Sequence, residues 1–280
     1  MHAYRENINN LKALQRLIKL DDIKQEESIV EKKGEEVKVD AKWPAIGEIE
    51  LKDVKMRYRP ETDIVLNGLS FKVQPGHKVG IVGRTGAGKS TIALIMSRIC
   101  EVESGSVNID GTDTALVDLE TLRSKITVIP QESVIFKDTI KFNLDPTGLI
   151  PDKEIEDLLN EAGLEELLKR EPERKKKKDR YFIEEIDGQQ GNGKGIYYKL
   201  EDGGDSLSAG EKQLICICRA ILRKNKIVIL DEATASIDIV TEEKIYKLIN
   251  EAFKESTVLT IAHRLNTVLG SDKILVLDAG

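Results

Sequence analysis

Two hydrophobic patterns recur along this chain of 280 residues, and they predict different elements. From Gly47 to Tyr58, and less cleanly from Val65 to Val73, apolar and polar residues alternate, which predicts two half-buried strands of an antiparallel sheet. Asn67-Gly68 is a turn candidate between them. The stretches 77–82, 227–230, 257–262 and 273–277 are near-continuous apolar runs of strand length, as expected of parallel strands buried on both faces. Between Asp138 and Leu222 the spacing becomes helical, with Ile155, Leu158, Leu159, Leu164, Leu167 and Leu168 on one stripe. Together these predict an α/β protein with a mixed, mainly parallel sheet, an antiparallel β subdomain and an inserted helical subdomain at about 138–222.

Ahead of the strands, Ile8, Leu11, Leu14, Leu17, Ile18 and Ile23 recur near helical spacing, so residues 4–27 read as one amphipathic helix whose stripe needs a cover. Residues 28–42 are alternately acidic and basic with little apolar content, a linker that ends at Trp43-Pro44. The expected division is therefore a helix and linker over 1–42 and a domain over 43–280. Inside the helical lobe, the charge run 170–180 and the glycine-rich stretch 188–195 predict a flexible, exposed insertion at about 171–195. Its basic cluster could bind acidic lipid or nucleic acid, but a solvated loop is the default reading.

Composition narrows the picture. Hydrophobic residues at 40% and charged residues at 33% are a globular mixture, and a net charge of −6 argues against global attraction to nucleic acid. Cys100, Cys216 and Cys218 are odd in number and lie in apolar stretches, which fits buried thiols in a reducing compartment better than a disulfide framework. No apolar run reaches the ~18–20 residues needed to cross a bilayer, so this polypeptide by itself is expected to be soluble and cytosolic.

The chemistry concentrates where a strand runs into a glycine-rich segment and then a helical pattern. Gly83-Arg84-Thr85-Gly86-Ala87-Gly88-Lys89-Ser90 fits the phosphate-loop pattern G-x-x-x-x-G-K-[ST] in the strand–loop–helix context it requires. Its glycines let successive backbone N–H groups and a helix N-terminus converge on phosphate oxygens. Lys89 would reach the β and γ phosphates, Ser90 would ligate Mg²⁺, and Thr91 could add an α-phosphate contact. At the end of the strand at 227–230, Asp231 is placed to hold the Mg²⁺ shell and Glu232 to polarise an attacking water. Ser208 and Glu211 precede the apolar run 214–222 with the spacing of a capping box, so a helix opens there.

These segments, with four more in the same order, resemble the nucleotide-binding domains of ATP-binding cassette (ABC) transporters over roughly Trp43 to the C-terminus. Tyr58 is similar to the adenine-stacking aromatic, Gln131 to the glutamine that senses Mg²⁺ and water before the helical lobe, and His263 to the histidine that contacts the γ-phosphate. Leu207-Ser208-Ala209-Gly210-Glu211 occupies the place of the signature Leu-Ser-Gly-Gly-Gln, in which Ser208 and Gly210 would meet the γ-phosphate bound by an opposing cassette. It departs from that pattern at Ala209 and at Glu211, whose added carboxylate would weaken the half-site offered to the partner. Ala235-Ser236-Ile237-Asp238 resembles the loop after the second acid.

Within the superfamily, 43–47, 57–60 and 79–90 resemble the second nucleotide-binding domain of a C-subfamily, multidrug-resistance-associated exporter. The resemblance implies a P-loop NTPase core, ATP and Mg²⁺ as substrate and cofactor, and hydrolysis that drives export, with Glu232, His263 and Gln131 as catalytic residues. It also implies Ser90, Gln131 and Asp231 around the metal, a head-to-tail partner cassette, transmembrane domains missing from this chain ahead of residues 1–42, and a place on the cytosolic face of a membrane. A soluble ABC-class ATPase and a non-catalytic ATP-binding regulatory cassette are the alternatives.

Overall fold

The computed structural model describes residues 37–170, 194–231, 239–262 and 268–280 except 279, together with residues 12, 14–16, 18 and 19; for 239–244 it describes the backbone alone. Two sheets organise it. The first, ordered β2-β1-β4-β5, comprises β1 (Ile49–Met56), β2 (Leu66–Val73), β4 (Ser104–Ile109) and the short β5 (Thr112–Asp113), with antiparallel pairing throughout. Alternation in β1 delivers Ile49, Leu51, Val54 and Met56 to the core.

Asn67-Gly68 does not turn the chain, contrary to the sequence expectation. Both residues lie inside β2, where Lys55 pairs with Asn67 and Val54 with Leu69, so Gly68, at φ +82°, is the extra residue of a bulge. The chain reverses earlier, through residues 57–65, where the Arg57 guanidinium donates to the carbonyls of Pro60 at 3.3 Å and Thr62 at 3.2 Å.

The second sheet has the order β6-β7-β8-β3-β9, and all of its described pairings are parallel. Its strands are β3 (Lys78–Gly83), β6 (Ile126–Ile129), β7 (Ile227–Asp231), β8 (Thr257–Ile261) and β9 (Lys273–Leu277). The continuous apolar runs of the inner strands have the cause the sequence suggested, but the run 273–277 does not: β9 is the edge strand, and Ile274 and Val276 are 50% and 70% exposed instead of buried on both faces. Along β7, Ile227 and Ile229 enter the core shared with the antiparallel sheet, while Val228 and Leu230 enter the core of the helical lobe. Trp43 belongs to the first of these cores and donates from Nε1 to the Ile109 carbonyl at 3.2 Å.

Helix α1 (Lys89–Met96) follows β3, and α2 (Leu119–Lys125) leads into β6 with Asp118 accepting from the Thr121 N–H as its N-cap. The lobe contains α3 (Ile140–Leu144), α4 (Asp152–Glu161), α5 (Glu165–Leu168) and α6 (Ala209–Leu222), whose Ile155, Leu159, Leu167, Ile215 and Cys218 share one core. Helix α7 (Ile239–Ala252) precedes β8. The described N-terminal residues are helical, but Leu14 and Ile18 are more than half exposed, so no described residue covers the expected stripe. The insertion expected at about 171–195 lies outside the described residues up to 193; Gly195 opens a short 3-10 turn, Gly195–Tyr197.

Candidate functional site

Because the five strands run parallel, their carboxyl ends share one edge of the sheet, where ligands of open α/β folds bind. β3 ends there at Gly83 and β7 ends there at Asp231. Two glycines in the intervening loop take backbone conformations that other residues seldom adopt: Gly86 at φ +85° and Gly88 at φ +92°. Gly88 is also the N-cap of α1, so the loop closes directly onto a helix N-terminus. Gly83 is required for a different reason, since a Cβ there would stand 2.3 Å from the Leu277 carbonyl oxygen of β9.

Arg84, Thr85 and Gly86 are exposed, whereas Ala87 and Lys89 are buried. The Lys89 ammonium donates to the carbonyls of Gly83 at 3.0 Å and Arg84 at 3.1 Å, which curls the loop around its own cation. Next along α1, Ser90 donates from Oγ to Asp231 Oδ1 at 3.2 Å, joining the two predicted halves of the phosphate site across 141 positions. Thr91 Oγ1 lies 2.9 Å from the Tyr58 hydroxyl. Tyr58 is 52% exposed, unlike a core tyrosine, and its hydroxyl meets the first turn of α1.

The donor set suits magnesium. A hydroxyl and a carboxylate oxygen are hard ligands, and Mg²⁺ takes one or two carboxylates together with substrate phosphates. Among the described residues no three His, Cys, Asp or Glu side chains cluster. Gln131 is exposed on the loop after β6, and the pairing of Ile129 with Leu230 puts that loop beside the strand end that carries Asp231. Glu232, the loop 235–238 and His263 lie outside the described residues.

Ser208 and Gly210 belong to the helical lobe. Ser208 is the N-cap of α6 and accepts from the Glu211 N–H at 3.2 Å, while Glu211 Oε2 accepts from the Ser208 N–H at 2.7 Å, the reciprocal capping box that the sequence predicted. Sequence reasoning missed Arg170. Its guanidinium pairs with Glu211 Oε1 at 2.8 Å and donates to the Ser206 carbonyl at 2.9 Å. The carboxylate that departs from the signature pattern therefore sits against a cation. No short-range signal could reveal this, because the partners are 41 positions apart.

Comparison with known proteins accords with this geometry. The ABC transporter family pattern matches residues 66–235. The chain is 42% identical over 240 residues to rat ATP-binding cassette sub-family C member 2, covering 86% of this chain and 14% of that protein. It is 40% identical over 272 residues to bile pigment transporter 1 of Saccharomyces cerevisiae, covering 97% of this chain and 17% of that protein. A solved bacterial Atm1-family ABC exporter with ATP bound superposes with a TM-score of 0.78 at 31% identity, over 99% of this chain and 44% of the exporter chain. A P-loop α/β fold, a phosphate loop facing an aspartate and a match over most of the chain lead to one conclusion: the chain belongs to the ABC transporter family, as a nucleotide-binding domain of the exporter type similar to those of C-subfamily members.

Proposed function

We propose that this domain binds ATP with Mg²⁺ and hydrolyses it to drive export, working as one of two cassettes that close head to tail on the cytosolic face of a membrane. The observation that carries this reading is the Ser90–Asp231 contact at 3.2 Å beside the buried Lys89. Export itself is inferred from the relatives, whose length this chain spans only to 14–17% in the examples above. The membrane-crossing part would belong to accompanying transmembrane domains, since no described helix is long and apolar enough to cross a membrane.

In this reading the amides of residues 83–90 and the N-terminus of α1 receive the phosphates, Lys89 neutralises the β and γ groups, and Tyr58 stacks on the adenine. Arg84, Thr85, Gly86, Ala87, Gly88 and Thr91 complete the cradle. Bound Mg²⁺ would supply charge neutralisation, with Ser90, Gln131 and Asp231 as its protein ligands. Glu232 accepts a proton from a water as that water forms a bond to the γ-phosphorus and the bond to the β–γ bridging oxygen breaks. His263 holds the departing γ-phosphate, and Ser208 and Gly210 complete the opposing cassette's site. Glu232→Gln should retain ATP and lose nearly all turnover, measured as phosphate release with a partner cassette present. Unchanged hydrolysis would remove Glu232 from its assigned role.

A further inference from the structure

The helix that opens at Ser208 also grips the loop that carries Gln131. Gln213, Cys216 and Arg219 stand three positions apart on α6 and therefore share one face. All three meet residues 133–136. Ser133 donates from Oγ to Gln213 Oε1. The Val134 carbonyl accepts from Arg219 Nη2 at 3.1 Å and from Cys216 Sγ at 3.8 Å. The Arg219 guanidinium lies 5.6 Å from the Phe136 ring centroid and donates from Nε to the Asn143 carbonyl at 2.6 Å, while Asn143 Oδ1 accepts from the Phe136 N–H at 2.8 Å.

The loop is also held at Phe136, whose carbonyl accepts from Asn143 Nδ2 at 2.9 Å and whose ring meets Phe142 edge-on. Val134 and Phe136 are each 51% exposed, and Ile135 is its buried apolar anchor. Gln213 is only 4% exposed, yet its Nε2 has no partner among the described residues. Burying an amide with one end unsatisfied costs stability, so a small apolar residue would suit this position better if packing were its only task. The bond to Ser133 gives the amide a reason to be there.

We propose that Ser133, Gln213 and Arg219 are positioning residues that fasten the Gln131 loop to the helix beginning at Ser208. The side chain assigned to this cassette's own magnesium and the helix end offered to the opposing nucleotide are then set by one rigid piece. The proposal rests on the reading of Gln131 as a magnesium ligand.

The test is nucleotide affinity, titrated with a fluorescent ATP analogue in Mg²⁺ and again in EDTA. The variants are Ser133→Ala, Gln213→Met and Arg219→Lys, each made also in a Gln131→Ala background. Ser133→Ala alters only a loop hydroxyl and leaves α6 intact, so it remains informative if a change inside the helix impairs folding. Affinity in EDTA should stay within twofold of wild type, while the gain conferred by Mg²⁺ should fall at least threefold in every variant. In the Gln131→Ala background the same changes should add nothing, because positioning residues act through the group they position. An unchanged magnesium gain, equal losses in Mg²⁺ and EDTA, or losses that add to that of Gln131→Ala would each overturn the proposal. Wild-type protein that binds nucleotide without any magnesium gain would instead refute the underlying assignment of Gln131.

Discussion

Gly86 and Gly88 have nearly the same backbone conformation in very different surroundings, and replacing each by alanine separates two costs. Both sit at positive φ, +85° and +92°, where a side chain costs about 1–2 kcal/mol. A Cβ on Gly86 would meet no atom of the described residues within 4 Å, whereas one on Gly88 would stand 2.8 Å from Leu66 Cδ2 and 3.2 Å from the Val65 carbonyl oxygen. Overpacking of that kind adds about 1–3 kcal/mol. Gly88→Ala should therefore destabilise by about 2–5 kcal/mol and Gly86→Ala by about 1–2 kcal/mol. At roughly 2–4 °C per kcal/mol for a chain of this size, Tm should fall by about 4–20 °C and about 2–8 °C respectively. Nucleotide-free thermal unfolding followed by circular dichroism reads both variants side by side. Equal shifts, or a larger one for Gly86→Ala, would refute the argument that the loop is held against β2 by the absence of a side chain at position 88.

Two further outcomes follow from contacts away from the loop. Lys78 donates from Nζ to the carbonyls of Phe253 at 2.9 Å and Ser256 at 2.5 Å, just past the C-terminus of α7, so Lys78→Met should lower the urea-derived stability by about 1.5–3 kcal/mol; a change below ~0.5 kcal/mol would dismiss this lysine as a cap. Burial pushes the Asp145 carboxyl up, but hydrogen bonds from Thr147, Ile150 and Gly148 outweigh it and hold the group below its ordinary value of 3.8. A carboxyl depressed on folding stabilises above its unfolded pKa and loses that contribution as pH falls through the folded value, so part of the acid-induced loss of Tm below about pH 4 should disappear in Asp145→Asn. Parallel pH profiles of the two proteins would contradict this.

Local patterns in the sequence mapped well onto local structure. The phosphate loop was legible because its glycines, lysine and flanking apolar runs are contiguous, and the capping box because Ser208 and Glu211 lie within one helical turn. Features built across distant segments left no such trace. Arg170 reaches Glu211 only when α5 folds beside α6, and the hold of Gln213 and Arg219 on residues 133–136 spans about 80 positions. Asn67-Gly68 misled for a related reason. The dipeptide tolerates positive φ wherever it occurs, and cross-strand register made it a bulge inside β2 rather than a turn. Asp231 could be read as the acidic end of a buried strand, but its contact with Ser90 depends on the strand order that separates β7 from β3 by β8 alone.

Everything assigned to this site requires that it hold a magnesium–nucleotide complex through Lys89. Equilibrium dialysis of the purified, folded chain against Mg-ATP, beside Lys89→Ala, measures that directly. Saturable uptake by the wild-type protein, weakened at least tenfold in the variant, is the expected result. No uptake at millimolar nucleotide, or uptake indifferent to Lys89→Ala, would contradict it.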